Sequence, residues 1–377
     1  MHILFNALAL PACKTGGGVY MINLIRAISR MENGSHISVL VNRDNKYHFQ
    51  NIENCHVSLI DCGPATISRP TRIIWEQMVL PSLIRRLKAD IFHAPGFVLP
   101  LAATVPSVLT IFDMTFFSHS DKHEFMKQVY FKHFIPPSAK KADVVITISH
   151  SAAAEIERYL DIDGRKIRVT HLAADSVFHS RAPEAVKETL RLLGIPDRYI
   201  LSVGTLEPRK NIPLLLSAYA ELPDDLRSSY PLVLVGKEGW GHENLQHIAG
   251  TLGISRHLFF TGYLTDNQLA DLYAAAALFV YPSLYEGFGL PVLEAMASGA
   301  PVLTSSVSSM PEVAGDAALL ADPHDQASIA RGMAAILTDS SLAERMVVRG
   351  FERALQFSWE KTAAETFEAY AQAMIRK

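Results

Sequence analysis

Short apolar runs of four to seven residues alternate along the chain with longer stretches whose apolar positions recur every three or four residues. In the first half, residues 37–41, 57–60, 108–112, 144–148 and 167–170 predict strands, and the opening run 3–13 predicts a buried strand and its loop. Runs that are apolar on both faces predict parallel strands covered by helices, and so an α/β chain. The rhythm then restarts. Residues 199–204, 232–236, 258–262, 278–281 and 301–304 predict the strands of a second half, with helices at 212–220 and 267–276 between them.

The periodic pattern lapses between Ala173 and Arg198, where Ala182-Pro183 and Ile195-Pro196 bracket a short amphipathic helix. A domain boundary near Val177 follows, giving units 1–177 and 178–357 and a closing segment 358–377. The helix 359–375 of that segment places Ala363, Phe367, Tyr370 and Met374 three or four residues apart. Such a stripe needs an apolar surface to dock on, and the first half is one candidate. Neither a solenoid period nor a low-complexity segment interrupts this organisation.

A length of 377 residues suits about two domains at 100 to 200 residues each. With 49% hydrophobic and 19% charged residues the composition is globular, which excludes disordered and collagenous chains. The formal charge of −3 gives no support to nucleic acid as a general partner. Cys13, Cys55 and Cys62 are an odd number with no CxxC spacing, so neither a disulfide framework nor a zinc finger is indicated and a reducing cytoplasm fits. The opening run lacks a basic n-region, is interrupted by Asn6 and carries Pro11 where a cleavage site before Cys13 would not tolerate it. It therefore reads as structure rather than as a leader. No stretch reaches the roughly 18 to 20 apolar residues of a membrane span, so any membrane contact is expected to be peripheral.

Three segments carry candidate chemistry. Gly16, Gly17 and Gly18 stand between the first strand and a helix predicted at 19–29, where close backbone approach and a helix N-terminus would seat a phosphate. A flexible turn explains them equally well. Arg209 and Lys210, in the segment Glu207-Pro208-Arg209-Lys210-Asn211, follow a parallel strand where open α/β sheets bind ligands, and two cations there would neutralise a diphosphate. The alternative is a solvated basic turn. In the third, Glu286 stands at the mouth of a helix opened by Gly287, Phe288, Gly289, Leu290 and Pro291, and Glu294 lies one turn inside. The two carboxylates would accept hydroxyls from separate parts of one ligand. A cap and a solvated glutamate would explain each carboxylate singly but not the glycine and proline pattern around both.

The segment from Glu286 to Glu294 resembles the EX7E motif of retaining glycosyltransferases of family 4, whose fold is GT-B. The resemblance extends to Gly16–Gly18, the Arg209-Lys210 pair, Thr261-Gly262-Tyr263, Tyr281-Pro282-Ser283 and Phe357-Ser358-Trp359, in that order along nearly the whole chain. It implies two Rossmann-like domains facing across a cleft, an acceptor domain first and a donor domain second, with the terminal helix crossing back to the first. It further implies that Arg209 and Lys210 hold the donor diphosphate with help from the Gly17 and Gly18 backbone. Glu286 would contact the transferred sugar, Gly287, Phe288, Gly289 and Leu290 would line the donor, Glu294 would bind the ribose, and Tyr263 and Leu264 would lie near the base. Where many relatives have a His-Asp pair this chain has Phe112-Asp113, so Asp113 is a candidate to compensate for the missing imidazole. Some relatives place an arginine where this chain has Thr205, which throws diphosphate binding onto Arg209 and Lys210.

The implied chemistry is front-face transfer of a hexose, mannose by overall similarity, from GDP-mannose to a glycan or polyprenyl-linked glycan acceptor. The sugar nucleotide is then a co-substrate and neither cofactor nor metal is called for. Asp161-Ile162-Asp163 resembles a metal-binding DxD but precedes Gly164 at an expected helix end, where a turn accounts for it. His119 and His123 have helical metal spacing without a third ligand. Residues 125–134 interleave Phe125, Met126, Val129, Tyr130 and Phe134 with Lys127 and Lys132. This pattern suits either a peripheral contact of a cytoplasmic protein with an anionic membrane face or core packing. Two rival readings stand beside transfer: a sugar-nucleotide epimerase or hydrolase on the same fold, and a non-catalytic partner subunit.

Overall fold

The computed structural model describes residues 1–11, 16–31, 34–52, 56–118, 125–237 and 244–375. The chain divides into two units, Met1–Leu172 together with Ser358–Lys377, and Ala173–Phe357. The division falls a few residues before Val177, because Ala173 and Phe178 are buried within the second unit, where Phe178 packs edge-on against Tyr273.

Among the described residues the first unit holds a parallel sheet of β1 (His2–Asn6), β2 (His36–Val41), β3 (Val57–Asp61), β4 (Ile91–Pro95), β5 (Ser107–Thr110), β6 (Val144–Thr147) and β7 (Ile167–Val169), in the order β3-β2-β1-β4-β5-β6-β7. Leu4, Phe92, Leu109 and Val145 supply its core from successive strands. Strand β4 is not among the predicted strands, since His93 and Pro95 interrupt its apolar run. Burial there is paid for by hydrogen bonds, His93 Nδ1 to the Tyr370 hydroxyl and Nε2 to Thr110 Oγ1, both at 2.8 Å. Strand β5 ends at Thr110, earlier than expected. Phe112 thus lies beyond the sheet and packs edge-on against Tyr20 and Phe97.

The terminal helix Trp359–Ile375 packs on β5, β6 and the helix Gly16–Ser29 of this first unit. Its buried stripe is Trp359, Thr362, Ala363, Thr366, Ala369, Tyr370 and Ala373. Met374, expected on that stripe, is exposed. Small residues win the buried positions because they let the helix approach the sheet closely, and Thr362 Oγ1 donates to the His171 carbonyl at 2.6 Å. Residues 125–134 belong to the helix Phe125–Lys141, in which Tyr130 and Phe134 are half-buried and Lys132 is exposed. The side chains of Phe125, Met126, Lys127 and Val129 lie outside the described ones, as do Cys13, Cys55, His119 and His123. Among the described residues no helix is long and apolar enough to cross a membrane.

The second unit carries β8 (Ile200–Val203), β9 (Leu232–Val235), β10 (Leu258–Gly262), β11 (Leu278–Tyr281), β12 (Val302–Ser305) and β13 (Leu319–Ala321). Their order is β10-β9-β8-β11-β12-β13, again parallel. The short edge strand β13 is below the length at which apolar patterning announces a strand. In this order the chain leaves β8 toward one edge and β11 toward the other, so the loops after these two strands diverge and open a crevice at their carboxyl ends.

Candidate active site

Both of those loops carry motif residues. After β8, residues Pro208–Lys210 form a 3-10 turn that Asn211 ends with φ 61°, a left-handed conformation that asparagine tolerates. The Asn211 amide then donates to the carbonyls of Pro282 and Pro323 at 3.2 and 2.7 Å. The Leu284 amide donates to the Arg209 carbonyl at 2.8 Å, and Arg209 Nη1 reaches the Tyr285 carbonyl at 3.3 Å. The two loops are therefore laced together, and Arg209, Lys210 and Glu286 converge.

Glu286 is the centre of this convergence. Its Oε2 pairs with Arg209 Nη1 at 2.6 Å and its Oε1 with Lys210 Nζ at 2.5 Å. Tyr281 and Ser283 donate their hydroxyls to the same Oε1 at 2.9 and 2.8 Å. Lys210 Nζ also hydrogen-bonds the Tyr281 hydroxyl, and Arg209 Nε pairs with Glu207 at 2.6 Å. Burial alone would raise the Glu286 pKa, but the two cations and the hydroxyl donors overcome it and hold the carboxyl at about 2. Burial pulls Lys210 down to about 8 against the opposing pull of Glu286. For Arg209 the Glu286 and Glu207 carboxylates outweigh the cost of burial and keep the guanidinium charged.

The helix Leu290–Ser298 starts just beyond. Gly289 stands at its N-cap with φ 113° and offers no side chain to cap the first-turn amides. The positive φ is what demands glycine here, and a Cβ would in addition push aside the terminal methyl of Met310, the flexible end of that side chain. Ser308 donates to the Glu286 carbonyl at 2.6 Å, and the Ser309 hydroxyl lies 2.7 Å from the Phe288 carbonyl, which fixes the entry loop. Glu294, one turn in, is buried and accepts the Tyr273 hydroxyl at 3.1 Å. Desolvation raises its pKa to about 7; the Tyr273 bond opposes this, and Asp266 and Asp175 add to it.

Tyr263 and Leu264 stand at the end of β10, before the helix Asp266–Ala275 that Thr265 and Gln268 cap as a reciprocal box. Leu264 is buried. Tyr263 is 53% exposed, with Lys237 Nζ 4.8 Å from its ring centroid. In the first unit the glycines are helical instead of preceding the helix, which begins at Gly16, so the Gly16, Gly17 and Gly18 amides are first-turn donors. Gly17 lies against the Phe112 ring. Asp113 accepts the Thr115 amide and hydroxyl at 2.9 and 2.5 Å and so caps the short helix Thr115–Ser118. Asp161 takes a left-handed conformation at a helix end and Asp163 caps the turn Gly164–Lys166, which gives both a local role.

Four contributors carry no role in the sequence reading: Glu207 beside Arg209, Tyr281 and Ser283 on Glu286, and Tyr273 on Glu294. Tyr281 and Ser283 stand within five residues of Glu286, a spacing that signals them. Tyr273 sits on a helix far from Glu294 in sequence, and no local pattern marks it.

Residues 14–177 match the model Glycosyltransferase Family 4, and residues 192–353 match that of Glycosyl transferases group 1. The O-antigen chain mannosyltransferase B of Escherichia coli is 39% identical over 288 residues, covering 76% of this chain and 75% of that one. Among solved structures, sucrose-phosphate synthase from Thermosynechococcus elongatus covers 100% of both chains with a TM-score of 0.79 at 20% identity. Anabaena HepE in complex with UDP and glucose covers 98% of this chain and 99% of its own, with a TM-score of 0.78 at 18% identity. At these identities the structures share the fold alone.

Proposed function

From the premise that this chain belongs to glycosyltransferase family 4, with the GT-B fold and a nucleotide sugar as substrate, we propose that it is a retaining mannosyltransferase. Its donor is GDP-mannose and its acceptor a glycan of surface polysaccharide assembly. The observation that carries the reading is Glu286 bridging Arg209 and Lys210 at the carboxyl ends of β8 and β11.

Transfer breaks the bond between the anomeric carbon and the diphosphate oxygen, and negative charge grows on the leaving group. Arg209 and Lys210 neutralise that charge, and the first-turn amides after Gly289 add donors that need no reorganisation. With its carboxyl held at about 2, Glu286 is ionised and serves as an acceptor for hydroxyls of the transferred sugar rather than as a proton source. Its two oxygens are engaged by cations and hydroxyls, which makes it a poor nucleophile. The reading therefore assigns attack to the acceptor hydroxyl on the face the diphosphate leaves, its proton passing to the departing phosphate oxygen. The configuration is retained without a covalent enzyme intermediate. Glu294 accepts ribose hydroxyls, and Tyr263 and Leu264 border the base. The identity of the Escherichia coli relative, a mannosyltransferase by name, supports the choice of sugar.

The test is a thermal-shift panel with GDP, UDP, ADP and dTDP. A ligand at about 100 times its Kd stabilises the fold by roughly 2.7 kcal/mol, so GDP should raise the melting point selectively. Transfer from GDP-mannose, followed by NMR of the anomeric proton of the product, should show the donor's configuration. A shift with UDP alone overturns the donor, and an inverted product overturns the mechanism.

A further inference from the structure

The turn between β8 and the helix Ile212–Ala220 holds a carboxylate whose placement capping does not explain. Glu207 stands at the N-cap of the turn Pro208–Lys210, yet its side chain accepts no amide of that turn. Its backbone is fixed without the side chain: the Glu207 amide donates to the Thr205 carbonyl at 2.8 Å, and its carbonyl accepts the Lys210 amide at 2.9 Å. The side chain runs on to Arg209 instead, where Oε1 lies 2.6 Å from Nε. The Glu207 and Arg209 side chains are only 19% and 31% exposed. Drawing a carboxylate out of water in this way is costly unless it serves the group it meets.

What it does to Arg209 follows from counting donors. A guanidinium presents five N–H groups in one rigid plane. Nε is taken by Glu207, while Nη1 faces Glu286 Oε2 at 2.6 Å and the Tyr285 carbonyl at 3.3 Å. Among the described residues Nη2 makes no hydrogen bond, and it is not one of the buried unpartnered atoms. Glu286 is used just as unevenly: Oε1 meets Lys210, Tyr281 and Ser283, whereas Oε2 meets Arg209 alone. Left to itself, an arginine facing a carboxylate settles into a fork of two parallel bonds. For Arg209 that rotation would bring Nη2 down beside Nη1 and consume the free side of Oε2. A carboxylate held on Nε from the same short turn opposes it. Lys210 offers no substitute, because its buried Nζ already serves Glu286 and the Tyr281 hydroxyl.

We propose that Glu207 is a positioning residue of the donor site: by holding Arg209 Nε it keeps the guanidinium end-on to Glu286, which presents Nη2 to the β-phosphate and leaves Glu286 Oε2 open to a hydroxyl of the transferred sugar. The proposal rests on the reading in which Arg209 neutralises the leaving diphosphate, and it adds what sets the orientation of that cation. Glu207 itself touches no substrate. Its effect is confined to interactions that Arg209 makes.

The test measures GDP and GMP binding by titration calorimetry, and transfer from GDP-mannose, on the full chain and on Glu207→Gln, Glu207→Ala, Arg209→Ala and the double variant Glu207→Ala/Arg209→Ala. Glu207→Ala should weaken GDP binding roughly tenfold and leave GMP, which lacks the β-phosphate, within about twofold. Glu207→Gln keeps a neutral acceptor for Nε and should recover part of the loss; it carries the same comparison where Glu207→Ala lowers the melting point. The double variant should transfer no more slowly than Arg209→Ala, because a residue that acts only through Arg209 has nothing left to lose. A crystal structure of Glu207→Ala should show the guanidinium forked onto Glu286. Equal losses of GDP and GMP affinity overturn the proposal, as do additive losses in the double variant or an Arg209 that stays end-on in that crystal structure. A wild type that binds neither nucleotide overturns the donor reading instead, and the crystal structure, which needs no nucleotide, then decides the role of Glu207.

Discussion

At the scale of single residues, the two glutamates of one motif have opposite electrostatics and therefore opposite predicted phenotypes. Glu286 is held low by Arg209 and Lys210, so Glu286→Gln leaves the buried Lys210 without its counter-charge and Arg209 with Glu207 alone. The expected cost is about 3 to 5 kcal/mol by denaturant unfolding, with transfer reduced by roughly 100-fold or more. GDP should still bind, because its diphosphate takes over the charge balance. Glu294 is raised to about 7, above its unfolded value of 4.5. Between those values the folded state holds the extra proton, so this group lowers stability progressively as pH rises through that window and fully above about 7. Glu294→Gln keeps an acceptor for Tyr273 and removes the charge. It should raise the melting point by a few degrees at pH 8, change it little at pH 5, and weaken GDP binding at both. A melting curve across pH with and without GDP reads all three.

At the scale of elements, two contacts decide whether a segment can sit where it does. Gly289 lets the chain enter the helix Leu290–Ser298 with φ 113° against Met310. Gly289→Ala should cost about 1 to 3 kcal/mol through backbone strain and overpacking, and Met310→Ala should rescue only the packing share. Urea midpoints of the two single variants and the double variant would separate the terms. In the first unit the terminal helix is keyed to β4 by Tyr370 on His93. Tyr370→Phe removes the hydroxyl and leaves a buried ring nitrogen unpartnered, for an expected loss of about 1 to 3 kcal/mol by the same unfolding measurement. Burial also lowers the His93 pKa to about 3 from 6.5. The unfolded chain therefore binds more protons between these values, and this residue withdraws stability as pH falls below about 6.5, by up to roughly 1.4 kcal/mol per pH unit.

At the scale of the whole molecule, the first unit is completed by a segment that follows the second unit in the chain. Deleting residues 358–377 strips Trp359, Ala363 and Tyr370 from the first sheet and exposes the apolar faces of β5, β6 and the helix Gly16–Ser29. Hydrogen exchange should then accelerate in those elements while β8, β9 and β11 keep their protection. Equal loss in both units would show that the helix supports more than its own sheet.

Much of the architecture was legible because parallel strands buried on both faces announce themselves as apolar runs, and the chain repeats that pattern twice. The site was legible wherever the chemistry rests on a local constellation: Arg209 beside Lys210, and Glu286 just before the glycine entry of the helix that carries Glu294. Hidden from the sequence were the places where polarity is repaid across long separations. Strand β4 reads as broken at His93 until Thr110 and Tyr370 satisfy both ring nitrogens, the latter from the far end of the chain. Tyr273 reaches Glu294 only because two helices pack side by side. Sequence alone determined most of the strands, β4 and β13 excepted, and which residues bear charge at their ends, because those depend on local periodicity. Tertiary structure alone decided which charges are neutralised, since desolvation and pairing exist only once distant residues share the same few ångströms.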